Sequence, residues 1–127
     1  MSLPDPTHNP DFAHLLQGKT EYSLRLLRHL LAEFSQVGDE ISQHPAKTMM
    51  GITTPRKRIA WITQIGKNFV HVVFPFREAH PDNFCFQKIA QVPGEMHQFN
   101  HHFRMLQPED VNEEVRGYMR KAYEEGL

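Results

Sequence analysis

Residues 58–76 read RIAWITQIGKNFVHVVFPF. Two runs rich in β-branched and aromatic residues flank Gly66-Lys67-Asn68, and such runs are typical of β-strands. We expect a hairpin whose tip uses the glycine for the positive φ that a tight turn needs. The stretch therefore predicts a domain built on an antiparallel sheet.

Length and charge restrict the class of protein. The chain has 127 residues, which suits one domain around one core. It has 14 Lys and Arg and 15 Asp and Glu, so its net charge of −1 gives no global attraction to nucleic acid or to an acidic membrane. The apolar runs fall short of the ~20 residues that cross a bilayer, and residues 1–10 lack the pattern of a signal peptide. We expect a cytoplasmic protein without membrane contact.

The N-terminal part of the chain changes from proline-rich to helical. Residues 1–19 are predicted to form an arm with a short helical turn, and residues 20–127 to form a single domain. From Thr20, an N-cap residue, to Val37, apolar residues recur at spacings of three and four, which is the period of an amphipathic helix. The apolar side of this helix needs a sheet to pack on.

The rest of the chain predicts further strands and a closing helix. Turn-forming residues separate three more apolar runs, and we expect strands at residues 47–54, 84–92 and 98–105. Pro108 and the acidic residues after it suit the first turn of a helix that ends at Gly126. The predicted fold is α+β in the order α-β-β-β-β-β-α, with a curved, mainly antiparallel sheet of about five strands flanked by an N-terminal and a C-terminal helix.

The order of these segments resembles a known family. The resemblance is carried by KTMMGI at 47–52, RIAWI at 58–62, KNFVHVVFPF at 67–76, HHFRM at 101–105 and PEDVNEEVRGYMRKAYEEG at 108–126. As an ordered set over about residues 20–126, they look like the bacterial domain of unknown function 5655 family. Similar modules look like accessory pieces of larger bacterial proteins, and some relatives carry the label of predicted transport protein. The resemblance implies a fold and no particular reaction.

Strict alternation along the hairpin predicts which side chains enter the core. The core face comprises Ile59, Trp61, Thr63, Ile65, Val70, Val72, Phe74 and Phe76. The opposite side, which we call the second face, mixes apolar and polar residues and comprises Ala60, Ile62, Gln64, Phe69, His71 and Val73. With continued alternation it also takes Lys47, Met49, Asn100, His102 and Arg104, while Phe99, Phe103 and Met105 turn inward. A one-residue bulge would reverse this assignment.

Four side chains that can carry positive charge would then converge on the second face, namely Lys47, His71, His102 and Arg104. Arginine offers a planar fork of donors and lysine a compact charge, so the set suits an anionic ligand on an apolar floor. A competing interpretation is that Lys47 and Arg104 reach into solvent and that the histidines are bonded to the backbone. A third is a homodimer in which a second copy of the chain covers this face.

Nucleic-acid binding and metal binding have weaker support in the sequence. Arg56, Lys57 and Arg58 form the only basic cluster, and three charges are few for a nucleic-acid interface. His97, His101 and His102 stand closest among the nine histidines. Because adjacent residues of a strand point to opposite faces, at most two of them could share a metal, so we predict no metal site.

No catalytic motif is recognisable in the chain. The sequence contains no GxSxG, no P-loop and no glycine-rich dinucleotide fingerprint. The single cysteine, Cys85, lies between two phenylalanines and has no visible catalytic partner. We therefore expect a binding or interaction module without catalytic residues or cofactor, and a nucleic-acid-associated accessory domain or an enzyme with an unfamiliar motif are the alternatives.

Overall fold

An open antiparallel sheet of six strands forms the centre of the protein, whose computed structural model describes residues 5–126. The strands are β1 (Ser42–Pro45), β2 (Met50–Thr53), β3 (Arg58–Ile65), β4 (Val70–Phe76), β5 (Phe86–Gln91) and β6 (Phe99–Met105). The helices are α1 (Ala13–Leu16), α2 (Glu21–Ser35) and α3 (Glu113–Glu125), with single 3-10 turns at Pro6–His8, Pro10–Phe12 and Pro108–Asp110. Across the sheet the strands follow the order β1-β2-β3-β4-β6-β5.

This architecture confirms the predicted α+β class, with an antiparallel sheet between an N-terminal and a C-terminal helix. The sheet has one strand more than the five expected, because β1 lies in a segment predicted to be a loop and pairs with β2. The strand expected at 47–54 is correspondingly shorter. Its first residues form the turn between β1 and β2, where the Ala46 amide donates to the Met49 carbonyl at 2.8 Å.

Side-chain caps set the start of both long helices. The Thr20 hydroxyl accepts a hydrogen bond from the Ser23 amide at 3.1 Å, which confirms Thr20 as the N-cap of α2. The Asn112 side chain accepts from the Val115 amide at 3.0 Å, so α3 begins later than predicted and Pro108 starts a separate 3-10 turn. Among residues 5–126, no helix combines the length and the apolar character that a bilayer span requires.

Helices α2 and α3 pack on the same face of the sheet. Phe34 of α2 is fully buried, with its ring centroid 6.0 Å from that of Phe74 in β4. The Tyr118 ring of α3 lies 5.9 Å from that of Phe76 in the same strand. All these contacts lie on one side of β4, so the core occupies the space between the sheet and these two helices.

The N-terminal arm contributes to this core. Phe12 is 3% exposed, Leu16 is 9% exposed, and both belong to the cluster of buried apolar residues. From Pro10 onward the predicted arm therefore packs against the domain. The first four residues of the predicted arm, and Leu127 at the end of the predicted domain, lie outside the described residues.

A bulge in β3 corrects the predicted face assignment. The register between β3 and β4 shifts between Ile62 and Gln64, which leaves Thr63 as an extra residue. As a result Ala60 and Ile62 are buried in the core, whereas Trp61 lies opposite Val73 on the second face. Strict alternation is therefore wrong for this part of β3, while the residues predicted to face inward from β4, together with Phe103 and Met105 of β6, are buried as expected.

The glycine at the hairpin tip has a different role from the predicted one. Gly66 does not adopt a positive φ, and its amide donates to the Phe69 carbonyl at 2.9 Å. The Phe69 ring lies directly against Gly66, and a Cβ at this position would overlap the ring. Close approach of an aromatic side chain is therefore what requires glycine at the tip.

We expect Gly66→Ala to lower the free energy of unfolding by about 1–3 kcal/mol, the usual cost of overpacking. Gly117→Ala in α3 is a matched control, since the nearest atom to the new Cβ would be an Arg120 side-chain nitrogen 4.0 Å away. Alanine should stabilise that helix by about 0.5–1 kcal/mol. Urea unfolding measures both changes, and equal effects of the two variants would contradict the proposed packing at the tip.

Candidate functional site

The second face is the side of the sheet opposite α2 and α3. Directly paired residues of adjacent strands point to the same side, so the strand register defines rows of neighbouring side chains. One row consists of Trp61, Val73, His102 and Lys88, and the next of Gln64, His71 and Arg104. Val73 is only 6% exposed although it lies outside the core cluster, so its neighbours on the second face shield it from water.

His71 and His102 form a hydrogen-bonded pair at the centre of these rows. The His71 Nε2 lies 3.0 Å from the His102 Nδ1, which requires one ring to donate and the other to accept. The other ring nitrogen of His71, Nδ1, is buried and has no hydrogen-bond partner among the described residues. The pair therefore retains one unsatisfied polar atom beneath the surface.

Burial and positive neighbours lower the pKa of both imidazoles and so favour their neutral forms. Burial lowers the pKa of His71, and the charges of His102 and Arg104 lower it further. Burial also lowers the pKa of His102, with Lys88 as the second cause. No carboxylate contributes to either pKa shift, so the electrostatic environment of the pair is entirely positive.

The Arg104 guanidinium lies over an aromatic ring beside this pair. Its guanidinium carbon is 4.2 Å from the centroid of the Phe69 ring, the same ring that lies against Gly66. The Arg104 Nε is buried and has no hydrogen-bond partner among the described residues. Within residues 5–126, no carboxylate is close enough to form an ion pair with Arg104. The side chain is thus a half-buried cation without a counterion in this part of the chain.

A second arginine stacks on the face at Trp61. The guanidinium carbon of Arg58 is 3.8 Å from the centroid of the Trp61 ring. Gly51 of β2 lies opposite Trp61, and a Cβ there would be 3.2 Å from the Arg58 Nε. Glycine at this position therefore leaves the space in which Arg58 lies across the indole.

The basic cluster predicted from the sequence divides between two places. Arg58 belongs to the second face, whereas Arg56 and Lys57 lie in the turn between β2 and β3. The Lys57 carbonyl closes this turn by accepting from the Thr54 amide at 2.9 Å. Arg58 therefore joins the second face, while Arg56 and Lys57 belong to the adjoining turn.

Acidic residues are absent from the six strands described. All six strand sequences lack Asp and Glu, whereas β3, β5 and β6 contribute Arg58, Lys88 and Arg104. The ion pairs among residues 5–126 lie within or between α2 and α3, for example Arg116 with Glu33 at 2.9 Å. The helical side of the molecule therefore balances its own charges, and the second face carries uncompensated positive charge.

The structure does not bring Lys47 to the cluster. Lys47 lies in the turn between β1 and β2 and lines a cleft of about 310 Å³ together with His14 and Lys19. Strand β3 separates its hairpin from His71 in β4. Of the four cationic residues predicted to converge, the structure brings together His71, His102 and Arg104, and it adds Lys88, whose pairing with His102 could not be inferred from the sequence.

The other buried histidine has a structural role. His101 is fully buried, with its Nδ1 2.8 Å from the Phe99 carbonyl and its Nε2 accepting from the His80 amide at 3.0 Å. Both ring nitrogens are therefore satisfied, and the neutral ring ties the segment after β4 to β6. Burial lowers the pKa of His101, as expected for an imidazole in an aromatic cluster.

Cysteine and metal chemistry have no visible site. Cys85 is half-buried, and burial together with Glu114 raises the pKa of its thiol to about 12, which opposes a reactive thiolate. Among residues 5–126, no three His, Cys, Asp or Glu side chains are grouped in a way that could hold a metal ion.

No family model, curated protein or solved structure matches the chain. The resemblance to the bacterial domain of unknown function 5655 family therefore stays a prediction. The geometry and charge of the second face are what support a function.

Removing the Arg104 charge should raise the pKa of His71, because that charge disfavours the imidazolium. The variant Arg104→Met keeps an apolar chain over Phe69 and deletes the charge. Lys121→Met is the matched control, since Lys121 lowers the pKa of His80 instead. NMR titration of the imidazole protons should show His71 shifting only in the first variant and His80 only in the second, and the same shifts in both would contradict the assigned neighbours.

Proposed function

We propose that the chain is a cytoplasmic bacterial module that binds an anionic ligand on the second face through Arg104, His71 and His102. The observation that carries this proposal is the half-buried Arg104 guanidinium, which has no carboxylate partner among residues 5–126. A cation that has partly left water needs a compensating charge or hydrogen bond. An external carboxylate or phosphate would supply both to the planar donors of arginine.

The histidine pair would adapt its charge to this ligand. In the free protein, burial and positive neighbours lower the pKa of both imidazoles. An anion placed beside them favours the imidazolium, because an opposite charge stabilises the charged form. Binding would therefore be coupled to proton uptake, and a neutral pair would become a cationic part of the site.

The packing of Arg104 favours this proposal over a solvated arginine. A side chain that merely extends into water would not bury its Nε against the sheet or stack on Phe69. The competing interpretation has the histidines bonded to the backbone, whereas His71 and His102 form a hydrogen bond with each other. These contacts hold the positive groups in fixed positions, as a ligand site requires.

The homodimer alternative has less support from the charges. A two-fold dimer through the second face would bring the positive side chains Arg58, Lys88 and Arg104 of one copy against the same positive face of the other. No acidic residue of the strands lies between them to offset the repulsion.

The proposal includes membership in the bacterial domain of unknown function 5655 family, which the sequence resembles. That membership implies no particular reaction for the protein.

Isothermal titration calorimetry with pyrophosphate tests the anion site. The wild-type protein should bind, and Arg104→Met should weaken the affinity by at least about tenfold, the loss expected for charge-assisted hydrogen bonds. Arg120→Met is the control, since Arg120 is exposed on α3 at the other side of the sheet. Absence of binding, or equal binding by the wild type and Arg104→Met, would refute the proposal.

The affinity for an anion should rise as the pH falls. Sulfate is a suitable probe from about pH 8 to about pH 6, since its charge stays constant while histidines titrate. The pKa values of His71 and His102 are lowered in the free protein and should increase on binding, so the complex takes up protons and is favoured by acid. The variant His71→Gln should flatten this dependence, and an affinity that falls with acid would contradict the coupling.

A further inference from the structure

The second face carries two arginine–aromatic stacks, one of which contains Arg104 of the anion site. Arg58 lies on Trp61 at 3.8 Å, and Arg104 lies on Phe69 at 4.2 Å. A guanidinium placed over a ring has a second side that the ring does not cover. Nucleobases stack on the planes of aromatic and guanidinium groups, so each stack is a platform for a base.

The two platforms are too far apart for one small anion. Trp61 is in β3 and Arg104 is in β6, with β4 between them. Arg104 lies two residues along β6 from His102, which is in the same row as Trp61. With strands ~4.8 Å apart and ~3.3 Å per residue, their Cα atoms are separated by roughly 12 Å. Successive nucleotides of an extended strand can reach both platforms, whereas a single phosphate can reach only one.

The distribution of charge fits a polyanion that crosses the face. Arg58, Lys88 and Arg104 lie on strands that lack acidic residues, although the net charge of the whole chain is −1. This attraction is local to one side of the molecule, where a phosphate backbone would gain most.

We propose that the anion bound by the second face belongs to a single-stranded nucleic acid, whose bases stack on the two platforms while its phosphates contact Arg104, Lys88 and the histidine pair. This inference rests on the proposed anion site and names its ligand. A duplex fits less well, since its bases are paired inside and leave no exposed plane for the platforms. The open sheet face suits an extended strand better than an enclosed small molecule.

Fluorescence anisotropy with a labelled pyrimidine single strand of about 12 nucleotides tests the inference, with the matching duplex and pyrophosphate as comparison ligands. Three phosphate contacts predict that the logarithm of the association constant falls with the logarithm of salt concentration with a slope of about −2. Trp61→Leu should weaken single-strand binding about tenfold and pyrophosphate binding less. The control Arg120→Met should bind all three ligands as the wild type does.

A second variant tests the Arg58 platform without removing an aromatic residue. In Gly51→Ala, the new methyl group would lie 3.2 Å from the Arg58 Nε, so the guanidinium would have to shift by a few tenths of an ångström over Trp61. We expect this variant to weaken single-strand binding, and by less than Trp61→Leu does. Near-ultraviolet circular dichroism of the tryptophan reports whether the stack has opened and whether the fold persists.

The outcomes separate this inference from the proposed function. Tighter binding of the single strand than of the duplex, weakened in both platform variants, supports the nucleic-acid ligand. Equal affinity for single strand and duplex, or no effect of either platform variant, overturns the inference. If pyrophosphate binding still depends on Arg104 in that case, the anion site remains intact. If no anion binds, both proposals are refuted.

Discussion

The packing of α2 and α3 on one face of the sheet is the constraint on which the rest of the structure depends. Phe34 contacts Phe74, and Tyr118 contacts Phe76, so both helices bury their apolar sides against the same surface of β4. Every other residue of the strands then points away from the core. Those outward residues are free of the demands of core packing, and on this sheet they include two arginines, two histidines and a tryptophan.

Local irregularities decide which residues reach that surface. The bulge at Thr63 turns Trp61 outward and sends Ile62 into the core. Two glycines then make room for flat contacts, since Gly51 lets Arg58 lie across the indole and Gly66 lets the Phe69 ring approach the hairpin tip. The character of the second face therefore depends on backbone features that contribute no functional group themselves.

The fold class and the order of the main helices and strands could be predicted from the sequence, because the patterns that indicate them are local. The helical period after Thr20 and the aromatic runs around Gly66 each depend on a few neighbouring residues. Alternation placed His71 and Arg104 on the same side, because β4 and β6 pair without a bulge. Adjacency of these two strands is a tertiary property, and only the structure shows that it brings the two side chains together.

The errors came from features that residue patterns do not encode. A bulge adds one residue without changing composition, so nothing in the letters of β3 marked Thr63 as the extra one. The contribution of Lys88 depended on β5 pairing with β6, and the exclusion of Lys47 depended on the turn that precedes β2. Both depend on which strands and residues pair, and the hydrophobic period of a strand does not determine its partner.

The position of β6 inside the sheet has a consequence for the order in which the protein is made. β6 is the last of the six described strands to leave the ribosome, yet it lies between β4 and β5. A nascent chain that ends before residue 99 has an unpaired edge on β4 and no partner for β5. His102 and Arg104 arrive with this last strand, so the step that completes the hydrogen-bonded sheet is also the step that assembles the charged surface.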